Sequence, residues 1–214
     1  MVPFDPACRR CPRLSTFLDE VRERHPTYHC RPVAPFGAAD GRLLILGLAP
    51  GMHGANATGR PFTGDFAGIL LYQTLYRYGF SNRPESRSLD DGLRLIDCRI
   101  SNAVKCLPPG NKPIGEEIAC CNVFLREELQ ALPDDSLVIA LGRVAHQAVL
   151  RASGLKQSAY QFGHNVLHRL SSGMLLLDCY HCSRYNTQTG RLTTEMFHEV
   201  FGRARELLEK RPRI

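Results

Sequence analysis

The 214-residue sequence has no hydrophobic run long enough to cross a membrane, since a spanning helix needs about 20 apolar residues. Its most apolar stretches, residues 43–48, 137–141 and 174–177, have the length of β-strands. The N-terminus lacks the basic start and apolar core of a signal peptide, so we expect a cytoplasmic protein. Repeats, low-complexity segments and interdomain linkers are also missing, which favours one domain over two in a chain of this length.

Two common nucleotide-binding patterns are absent as well. The glycines of residues 47–64 do not follow G-x-G-x-x-G, which argues against a dinucleotide-binding Rossmann motif. The same stretch has no G-K-[ST] ending, which argues against a P-loop. We therefore do not expect a nucleotide cofactor.

Cysteine is abundant, with nine residues, and the odd number leaves one unpaired in any disulfide scheme. In a reducing compartment, metal binding is the better interpretation for some of them. The formal net charge of +6 suits a polyanionic partner, although charge alone is a weak indication of nucleic-acid binding.

Apolar strand-like segments alternate with amphipathic segments along the chain. The predicted strands lie within residues 42–47, 93–105, 137–141 and 174–180. The predicted helices are residues 15–24, 66–78, 116–132, 143–151 and 193–208, the last beginning at Thr193. This order predicts an α/β fold, a three-layer α/β/α sandwich with a central, mainly parallel four-stranded sheet. We expect a single domain over residues 1–214.

Three loops with unusual chemistry leave the carboxyl ends of the predicted strands, where such folds bind ligands. Residues 47–65 contain five glycines and two prolines, so their backbone amides can approach a phosphate or a base edge. The second loop begins at Asn102, whose amide offers a donor and an acceptor side by side, matching the O4/N3–H edge of uracil. The third begins at His181, where a neutral imidazole could donate to a developing negative charge. Taken singly, Asn102 and His181 are more often cap or core residues.

Together the three loops resemble the motifs of the uracil-DNA glycosylase superfamily, and most closely its B-type, or family 5, enzymes. The first motif is Gly47-Leu48-Ala49-Pro50-Gly51 followed by Gly59-Arg60-Pro61-Phe62-Thr63-Gly64-Asp65. The second is Asn102-Ala103-Val104-Lys105-Cys106 with Pro108-Pro109 and Asn111-Lys112-Pro113. The third is His181-x-Ser183 with Asn186-Thr187-x-Thr189-Gly190-Arg191-Leu192-Thr193. The resemblance extends from Cys8 to the C-terminal helix.

The resemblance implies a role for each motif residue. Phe62 would stack on the flipped base, Asn102 would read its polar edge, and His181 would stabilise charge on the departing base. The other substrate-binding residues that it implies are Gly47, Ala49, Ser183 and Arg184. The implied activity is hydrolysis of the N-glycosidic bond of uracil, and of other deaminated or damaged bases, in double-stranded DNA, by a monomeric enzyme of base excision repair. Neither Lys105 nor Lys112 has a Schiff-base role in the family, so we expect hydrolysis without strand cleavage.

The residue that positions the attacking water is less clear from the motifs. Leu48 replaces a Glu of the family 4 enzymes, and Ala49 replaces an Asp of other uracil enzymes, which is characteristic of the B type. Family 5 enzymes often have Asp or Asn at the position of Asn56, which makes Asn56 the first candidate and Asp65 the second. Asn56 could orient water but could not act as a base, so departure of the base would precede most of the water attack.

Four cysteines have the spacing of metal ligands. Cys8-x-x-Cys11 is a ligand pair, and Cys106 and Cys121 lie 15 positions apart. Four thiolates suit zinc or an iron–sulfur cluster. The family resemblance implies a [4Fe-4S] cluster on Cys8, Cys11, Cys106 and Cys121 that ties residues 1–40 onto the domain.

Two alternatives for the cysteines remain at this stage. Cys120 could replace Cys121, although the family spacing favours Cys121 and leaves Cys120 as a packed core thiol. Cys179-x-x-Cys182 could form a zinc site with Cys8-x-x-Cys11, but His181 lies inside that pair and would be drawn from the base pocket. Cys30 and Cys98 are predicted to be buried thiols.

Two rival functions also remain. A family 4 enzyme would be specific for uracil, and Leu48 and Ala49 argue against it. A non-catalytic iron–sulfur protein that binds DNA or organises a repair complex is compatible with Ala49 and Asn56, which cannot ionise.

Overall fold

The computed structural model describes residues 4–211. The strands are β1 (Phe36–Gly37), β2 (Leu43–Gly47), β3 (Cys98–Asn102), β4 (Leu137–Leu141), β5 (Leu167–Arg169) and β6 (Leu175–Cys179). The α-helices are α1 (Pro12–Arg24), α2 (Ala55–Thr58), α3 (Phe66–Arg77), α4 (Gly115–Gln130), α5 (Arg143–Ala152), α6 (Arg184–Gln188) and α7 (Thr194–Glu209). Two short 3₁₀ turns cover Pro109–Asn111 and Gln157–Ala159. Within residues 4–211, no helix is both long and apolar enough to span a membrane.

All six strands form one sheet in the order β1-β3-β2-β4-β6-β5. The four central strands are parallel, and the register places Gly47 of β2 opposite Asn102 of β3. The carboxyl ends of β2, β3 and β6 therefore lie at the same end of the sheet, and each strand continues into one of the three loops with motif residues.

The predicted α/β class and the parallel four-stranded centre are confirmed, and each long helix begins and ends close to its predicted bounds. The sheet differs in having six strands, because β1 and β5 extend both edges in antiparallel orientation. Those two strands are only two and three residues long, too short to produce a hydrophobic period of their own. The extent of the domain, residues 1–214, remains a prediction.

The sheet is covered on both faces, and alternation along each strand divides its side chains between two cores. Leu43, Ile45, Ile139 and Leu177 face the layer of α3 and α7. On the other face, Leu44, Leu46, Val138 and Leu176 pack with the buried side of α4 and α5. Because both faces are covered, the central strands are apolar throughout, which explains why they were recognisable from continuous hydrophobic runs.

The N-terminal segment forms a third, smaller core. Leu14, Leu18 and Val21 of α1 pack against Val104, Leu107 and Phe124. Arg13 joins α1 to α4 by a bidentate salt bridge to the Glu117 carboxylate, with N···O distances of 2.7 and 2.9 Å. Glu117 is almost fully buried while Arg13 is partly exposed, so the pair fixes the start of α4 beside α1.

Thr193 caps the C-terminal helix, as its position in the sequence predicts. Its side chain accepts a hydrogen bond from the backbone N–H of Met196 at 3.2 Å. We expect Thr193→Ala to lower the free energy of unfolding by about 1 kcal/mol, because a donor of the first turn loses its partner. The measurement is urea unfolding at equilibrium. Thr194→Ala, which removes a neighbouring exposed threonine outside the cap, is the control and should change stability by less than about 0.5 kcal/mol; equal effects would contradict the capping role.

Candidate active site

A pocket of about 400 Å³ opens at the carboxyl edge of β2, β3 and β6. Residues of all three motif loops line it. They are Leu48, Ala49, Pro50, Gly51, Ala55, Phe62, Asp65, Phe66, Ala67, Asn102, Asn111, His181, Ser183 and Arg184. The topology therefore brings together side chains that lie more than a hundred positions apart in the sequence.

Phe62 forms one wall of the pocket in a strained backbone conformation. Its φ is +54°, in the left-handed region that bulky residues rarely adopt, and its side chain is 6% exposed. A Cβ on Gly47 would lie 2.7 Å from the Phe62 ring and 2.4 Å from Oδ1 of Asn102. Glycine is therefore required at the end of β2, because only a residue without a side chain lets the phenyl ring and the Asn102 amide approach the strand so closely. Strain of this kind persists where the surroundings enforce it, often at functional sites.

Asn102 carries an unpartnered polar atom at the pocket wall. The residue is 3% exposed, and its Oδ1 has no hydrogen-bond partner. A buried amide oxygen without a donor is energetically costly and rare in native proteins. Because Asn102 lines the pocket, a ligand that carries an N–H group could satisfy it.

His181 lies two residues after the end of β6, with its ring stacked towards Phe62 at a centroid distance of 6.0 Å and an interplanar angle of 27°. The Asn186 amide donates to the His181 carbonyl at 2.8 Å, which fixes the backbone beneath the ring. Burial lowers the pKa of His181 to about 4, because the charged imidazolium would lose its hydration. The ring is therefore neutral at pH 7 and has one N–H to donate.

Asp65 supplies the carboxylate of the pocket. Its Oδ1 accepts a hydrogen bond from the backbone N–H of Gly68 at 2.8 Å and so caps α3. The position of Oδ2 is beside Gly54, where a Cβ would approach it to 2.6 Å. Burial raises the pKa of Asp65, although hydrogen bonds from backbone amides oppose the shift. One oxygen is thus fixed by the helix, and the carboxylate is more basic than an exposed one.

Asn56, the first water-positioning candidate in the sequence, does not line the pocket. Its side chain is fully buried, and its amide nitrogen lies 3.7 Å from the Cys30 Sγ and 3.5 Å from the Met52 carbonyl. The backbone of Asn56 is also bonded to the N-terminal segment, since its carbonyl accepts from the Cys30 amide. Asp65, the second candidate, lines the pocket, whereas Asn56 does not; which of the two positions water stays a prediction.

Ser183 and Arg184 begin α6 at the rim of the pocket. The Ser183 hydroxyl accepts a hydrogen bond from the backbone N–H of Asn186 and caps the helix, and the Arg184 guanidinium lies over the Phe66 ring at 5.6 Å. Sequence reasoning assigned no role to Phe66 or Asn111, which also line the cavity. Asn111 has a φ of +56° in the tight Pro109–Asn111 turn, and its place in the Asn111-Lys112-Pro113 motif was the signal for it.

Two charged motif residues turn out to be structural. Arg60 is 3% exposed and forms an ion pair with Asp91 at 2.9 Å, which fastens the first loop to the segment that follows α3. Lys105 is 1% exposed, and its ammonium donates to Glu128 and Ser101, both at 2.5 Å. Neither cation lines the pocket.

Five cysteine thiols lie close together between α1, the second loop and α4, namely those of Cys8, Cys11, Cys106, Cys120 and Cys121. Cys106 and Cys121 are buried in the third core, and Cys8 and Cys11 pack against it. Burial and the proximity of the other thiols raise the pKa of Cys106, and they raise that of Cys11 to about 12. Since thiols held together in this way resist ionisation, a cation is needed to stabilise them as thiolates.

Cys121 and Cys120 differ in environment. The backbone N–H of Lys105 donates to the Cys121 Sγ at 3.3 Å, while Cys120 is half-exposed with its Sγ 4.0 Å from the Arg10 carbonyl. The prediction that Cys120 is a core thiol is wrong, because the outer side of α4 presents it beside Cys11 at the surface. The favoured fourth ligand, Cys121, faces the buried side.

Cys179 and Cys182 are separate from this group. Cys179 and Cys182 are fully buried in the core of α3 and α7, where burial raises the pKa of both thiols. The alternative zinc site that joins them to Cys8 and Cys11 is thus excluded, since the two pairs belong to different cores. Cys30 and Cys98 are fully buried, as predicted.

Residues 34–205 match the uracil DNA glycosylase superfamily. The chain belongs to that superfamily. It is 48% identical over 206 residues to a type-5 uracil-DNA glycosylase of Thermus thermophilus, with 94% of each chain covered. A type-5 enzyme of Mycobacterium bovis is 44% identical, covering 94% of this chain and 78% of the relative. A type-4 uracil-DNA glycosylase of Thermotoga maritima is 36% identical over only 51% of this chain and 49% of its own.

These similarities confirm the resemblance to the family 5 branch of the superfamily. They also weigh against the family 4 alternative, since three type-4 relatives are 31–36% identical over 51–70% of the chain, whereas the type-5 relatives are 42–48% identical over 92–94%. The roles assigned to individual pocket residues and the identity of a bound cofactor remain predictions.

The pKa of His181 predicts how stability depends on pH. The folded-state value of about 4 lies below the value of about 6.5 that an unfolded chain shows. The contribution of the neutral ring is therefore fully present above pH ~6.5 and is lost as the pH falls towards 4. We expect the free energy of unfolding to fall less steeply over this range in His181→Gln than in the wild type, as measured by urea unfolding at several pH values. Equal slopes would show that the ring is not desolvated.

Proposed function

We propose that this protein is a monofunctional DNA glycosylase that hydrolyses the N-glycosidic bond of uracil, and of other deaminated or damaged bases, during base excision repair. The observation that carries the proposal is the buried, unpartnered Oδ1 of Asn102 at the wall of the pocket. Uracil has an N–H at position 3 and could satisfy this oxygen, whereas cytosine has an acceptor there and would leave two acceptors facing each other. The membership of the family and the similarity to type-5 enzymes agree with this activity.

In the proposed reaction the base leaves with negative charge, and His181 stabilises it. A neutral imidazole is suited to this task because it donates one hydrogen bond to the base and brings no positive charge into the pocket before the glycosidic bond breaks. The low pKa of His181 keeps the ring in that form at neutral pH. Phe62 would stack on the face of the base, since its ring is held rigidly against Gly47.

Asp65 is the proposed water-positioning residue. Its carboxylate lines the pocket, and its raised pKa makes it a better proton acceptor than an exposed aspartate. The hydrogen bond from Gly68 holds Oδ1, which leaves Oδ2 for the water. Water would then add to the sugar cation after most of the bond to the base has broken.

The surface around the pocket suits double-stranded DNA. The chain is basic, with a net charge of +6, and Arg184 lies at the rim. Tyr185 follows it on α6 with 71% of its side chain exposed, so it could fill the space that an extruded base leaves in the duplex. A second cavity of about 600 Å³ shares Asp65, Phe66 and Arg184 with the base pocket and could accommodate the neighbouring nucleotides.

The reaction would stop at the abasic site. A lyase needs an amine nucleophile in the pocket, and Lys105 is engaged with Glu128 in the interior. The exposed Lys112 lies outside the pocket lining as well.

A [4Fe-4S] cluster on Cys8, Cys11, Cys106 and Cys121 is the proposed cofactor. Within residues 4–211, only one group of three or more His, Cys, Asp or Glu ligand atoms lies within 4.8 Å, and it contains no cysteine. Four sulfur atoms around a single zinc ion, with Zn–S bonds of about 2.3 Å, would lie within 4.8 Å of one another. The ligand atoms of the four cysteines are more widely spaced, and a four-iron cluster holds its thiolates further apart than zinc does. The Lys105 amide that donates to Cys121 is a contact typical of cluster thiolates. Bound there, the cluster would fasten residues 1–40 to the domain and play no part in the chemistry of the pocket.

The activity is tested with a duplex containing one uracil, incubated with the protein and then treated with alkali. Cleavage at the uracil after alkali, with none before it, is the expected result. Absence of abasic sites, with DNA still bound, would favour the non-catalytic iron–sulfur protein instead. Parallel duplexes containing hypoxanthine would show whether the replacement of acidic residues by Leu48 and Ala49 broadens the range of bases.

Removing either recognition group should affect catalysis more than binding. We expect His181→Ala to lower the single-turnover rate on uracil duplex by about 10²–10³-fold, because the hydrogen bond that it loses strengthens as the bond breaks. Asn102→Ala should lower the rate as well, while the dissociation constant for undamaged duplex changes little in both variants. Equal losses of rate and of DNA binding would argue that these residues hold the fold or the DNA rather than the base.

Asp65 and Asn56 are distinguished by a matched pair of variants. Asp65→Asn keeps the helix cap, since Asn caps about as well as Asp, but removes the proton acceptor, and we expect a loss of at least about 100-fold in rate. Asn56→Ala should retain a rate within a few-fold of wild type once unfolded protein is accounted for by circular dichroism. The opposite ranking would restore Asn56 as the residue that positions water.

The neighbouring cysteines give an internal control for the cofactor. Cys121→Ser should lose most of its iron and its broad visible absorption, since a buried ligand is missing. Cys120→Ser should retain about four irons per chain, because its half-exposed thiol is not among the proposed ligands. Iron and sulfide analysis of both purified variants makes the comparison; a colourless wild-type protein that contains zinc would refute the cluster.

A further inference from the structure

A cluster of two histidines and one aspartate lies apart from the base pocket. His146 of α5, His168 of β5 and Asp178 of β6 present one ligand atom each, all within 4.8 Å of one another. His146 and Asp178 are almost fully buried, and none of the three lines the base pocket. No part of the proposed excision reaction uses them.

Both ring nitrogens of His146 face an oxygen atom that accepts hydrogen bonds. Its Nε2 lies 3.1 Å from the Tyr160 carbonyl, which can only accept, so Nε2 carries the hydrogen and donates. In a neutral ring this leaves Nδ1 with a bare lone pair. Nδ1 faces Oδ1 of Asp178 at 2.8 Å, and a carboxylate oxygen is also an acceptor. A positive charge at this contact, supplied by a second ring proton or by a bound metal ion, holds the two atoms together.

The other oxygen of the same carboxylate has a second imidazole beside it. Oδ2 of Asp178 lies 3.1 Å from Nε2 of His168 and accepts a hydrogen bond from the Gly163 amide at 3.3 Å. Both histidines therefore turn a ring nitrogen towards one buried carboxylate. The arrangement supplies two nitrogens and one oxygen with negative charge, which is a common ligand set for first-row transition metals.

The contact between His146 and Tyr160 has the form of a support for a metal ligand. Histidines that bind a metal through one nitrogen usually donate the other N–H to a carbonyl or a carboxylate, which orients the ring and raises its basicity. The Tyr160 carbonyl does this for His146. Tyr160 also packs edge-on against the His168 ring, at 5.7 Å between centroids, and so restricts the second ligand.

A cavity lies beside the cluster at His146. A cavity of about 450 Å³ is lined by His146 together with Gln147, Gln157, Ser158 and Tyr160. Its polar side chains could carry a hydrated ion to His146, and water in the cavity could complete the coordination. The cavity thus meets the buried cluster at His146, while His168 and Asp178 are not part of its lining.

We propose that His146, His168 and Asp178 form a binding site for one divalent transition-metal ion, of which Zn²⁺ is the probe we would use. The ion takes Nδ1 of His146, Nε2 of His168 and an oxygen of Asp178, with water as the fourth ligand. It joins α5 to the β5–β6 edge of the sheet. Because Asp178 and His181 lie only three positions apart, the ion also steadies the strand from which His181 emerges.

The test measures zinc in protein that retains its full chain and its native cofactor. Wild-type protein is washed with a mild chelator, equilibrated with Zn²⁺, freed of excess ion and analysed for zinc and iron in the same sample. One zinc per chain is expected, with X-ray absorption showing nitrogen and oxygen ligands at about 2.0–2.1 Å and no sulfur at about 2.3 Å. Sulfur ligation would place the zinc at the cysteines and overturn the assignment.

Variants identify the ligands. Asp178→Asn and His168→Gln should each weaken zinc binding by more than about 100-fold, since each loses a direct ligand. His198→Gln, which changes a half-buried histidine of α7 outside the cluster, should bind zinc as the wild type does. Added zinc should raise the unfolding temperature of wild type and His198→Gln only, and this shift serves as the second readout if a ligand variant is less stable at the outset.

Two results would contradict the proposed metal site. A wild-type protein that holds no zinc after equilibration would mean that a proton alone bridges His146 and Asp178, and it would overturn the site. Zinc bound with the same affinity by wild type and by both ligand variants would do the same.

Discussion

The base pocket depends on the close approach of two parallel strands and one ring. Gly47 lies opposite Asn102 across β2 and β3, and the Phe62 ring packs on the bare glycine from above. A methyl group at Gly47 would meet both neighbours, so the absence of a side chain there allows the Asn102 amide and the Phe62 ring to form adjoining walls. The left-handed backbone at Phe62 is the cost of this arrangement, and the packed core beneath it holds the ring in place.

Few charged side chains reach the pocket. Arg60 and Lys105 lie in motifs that could bind a polyanion, yet each is paired with a partly buried carboxylate, Asp91 and Glu128 respectively. His181 is neutral because burial lowers its pKa. Asp65 is then the single carboxylate among the residues that line the pocket. In such surroundings, a hydrogen bond from His181 to a departing anionic base is stronger than the same bond in water.

Much of the fold was predictable because the central strands are covered on both faces and are therefore apolar along their whole length. Leu137–Leu141 was predicted to the residue for this reason, whereas β1 and β5 are too short to leave a pattern. The motifs predicted the contents of the pocket by position, but not the direction of each side chain. Asn56 illustrates the limit: a single turn of helix directs its amide towards Cys30, and sequence spacing carries no sign of this. The His146–His168–Asp178 cluster was missed for a similar reason, since three elements bring together residues with no common motif.

The most direct measurement is a crystal structure of the protein with duplex DNA that contains a 2′-fluoro-deoxyuridine, whose glycosidic bond resists cleavage. We expect the uracil to be turned out of the helix into the pocket, with its N3–H on Oδ1 of Asn102, its face against Phe62 and its O2 beside the His181 ring. Asp65 would lie near a water on the opposite face of the sugar. A uracil that remains paired in the duplex, or one that occupies the pocket without contact to Asn102 and His181, would contradict it.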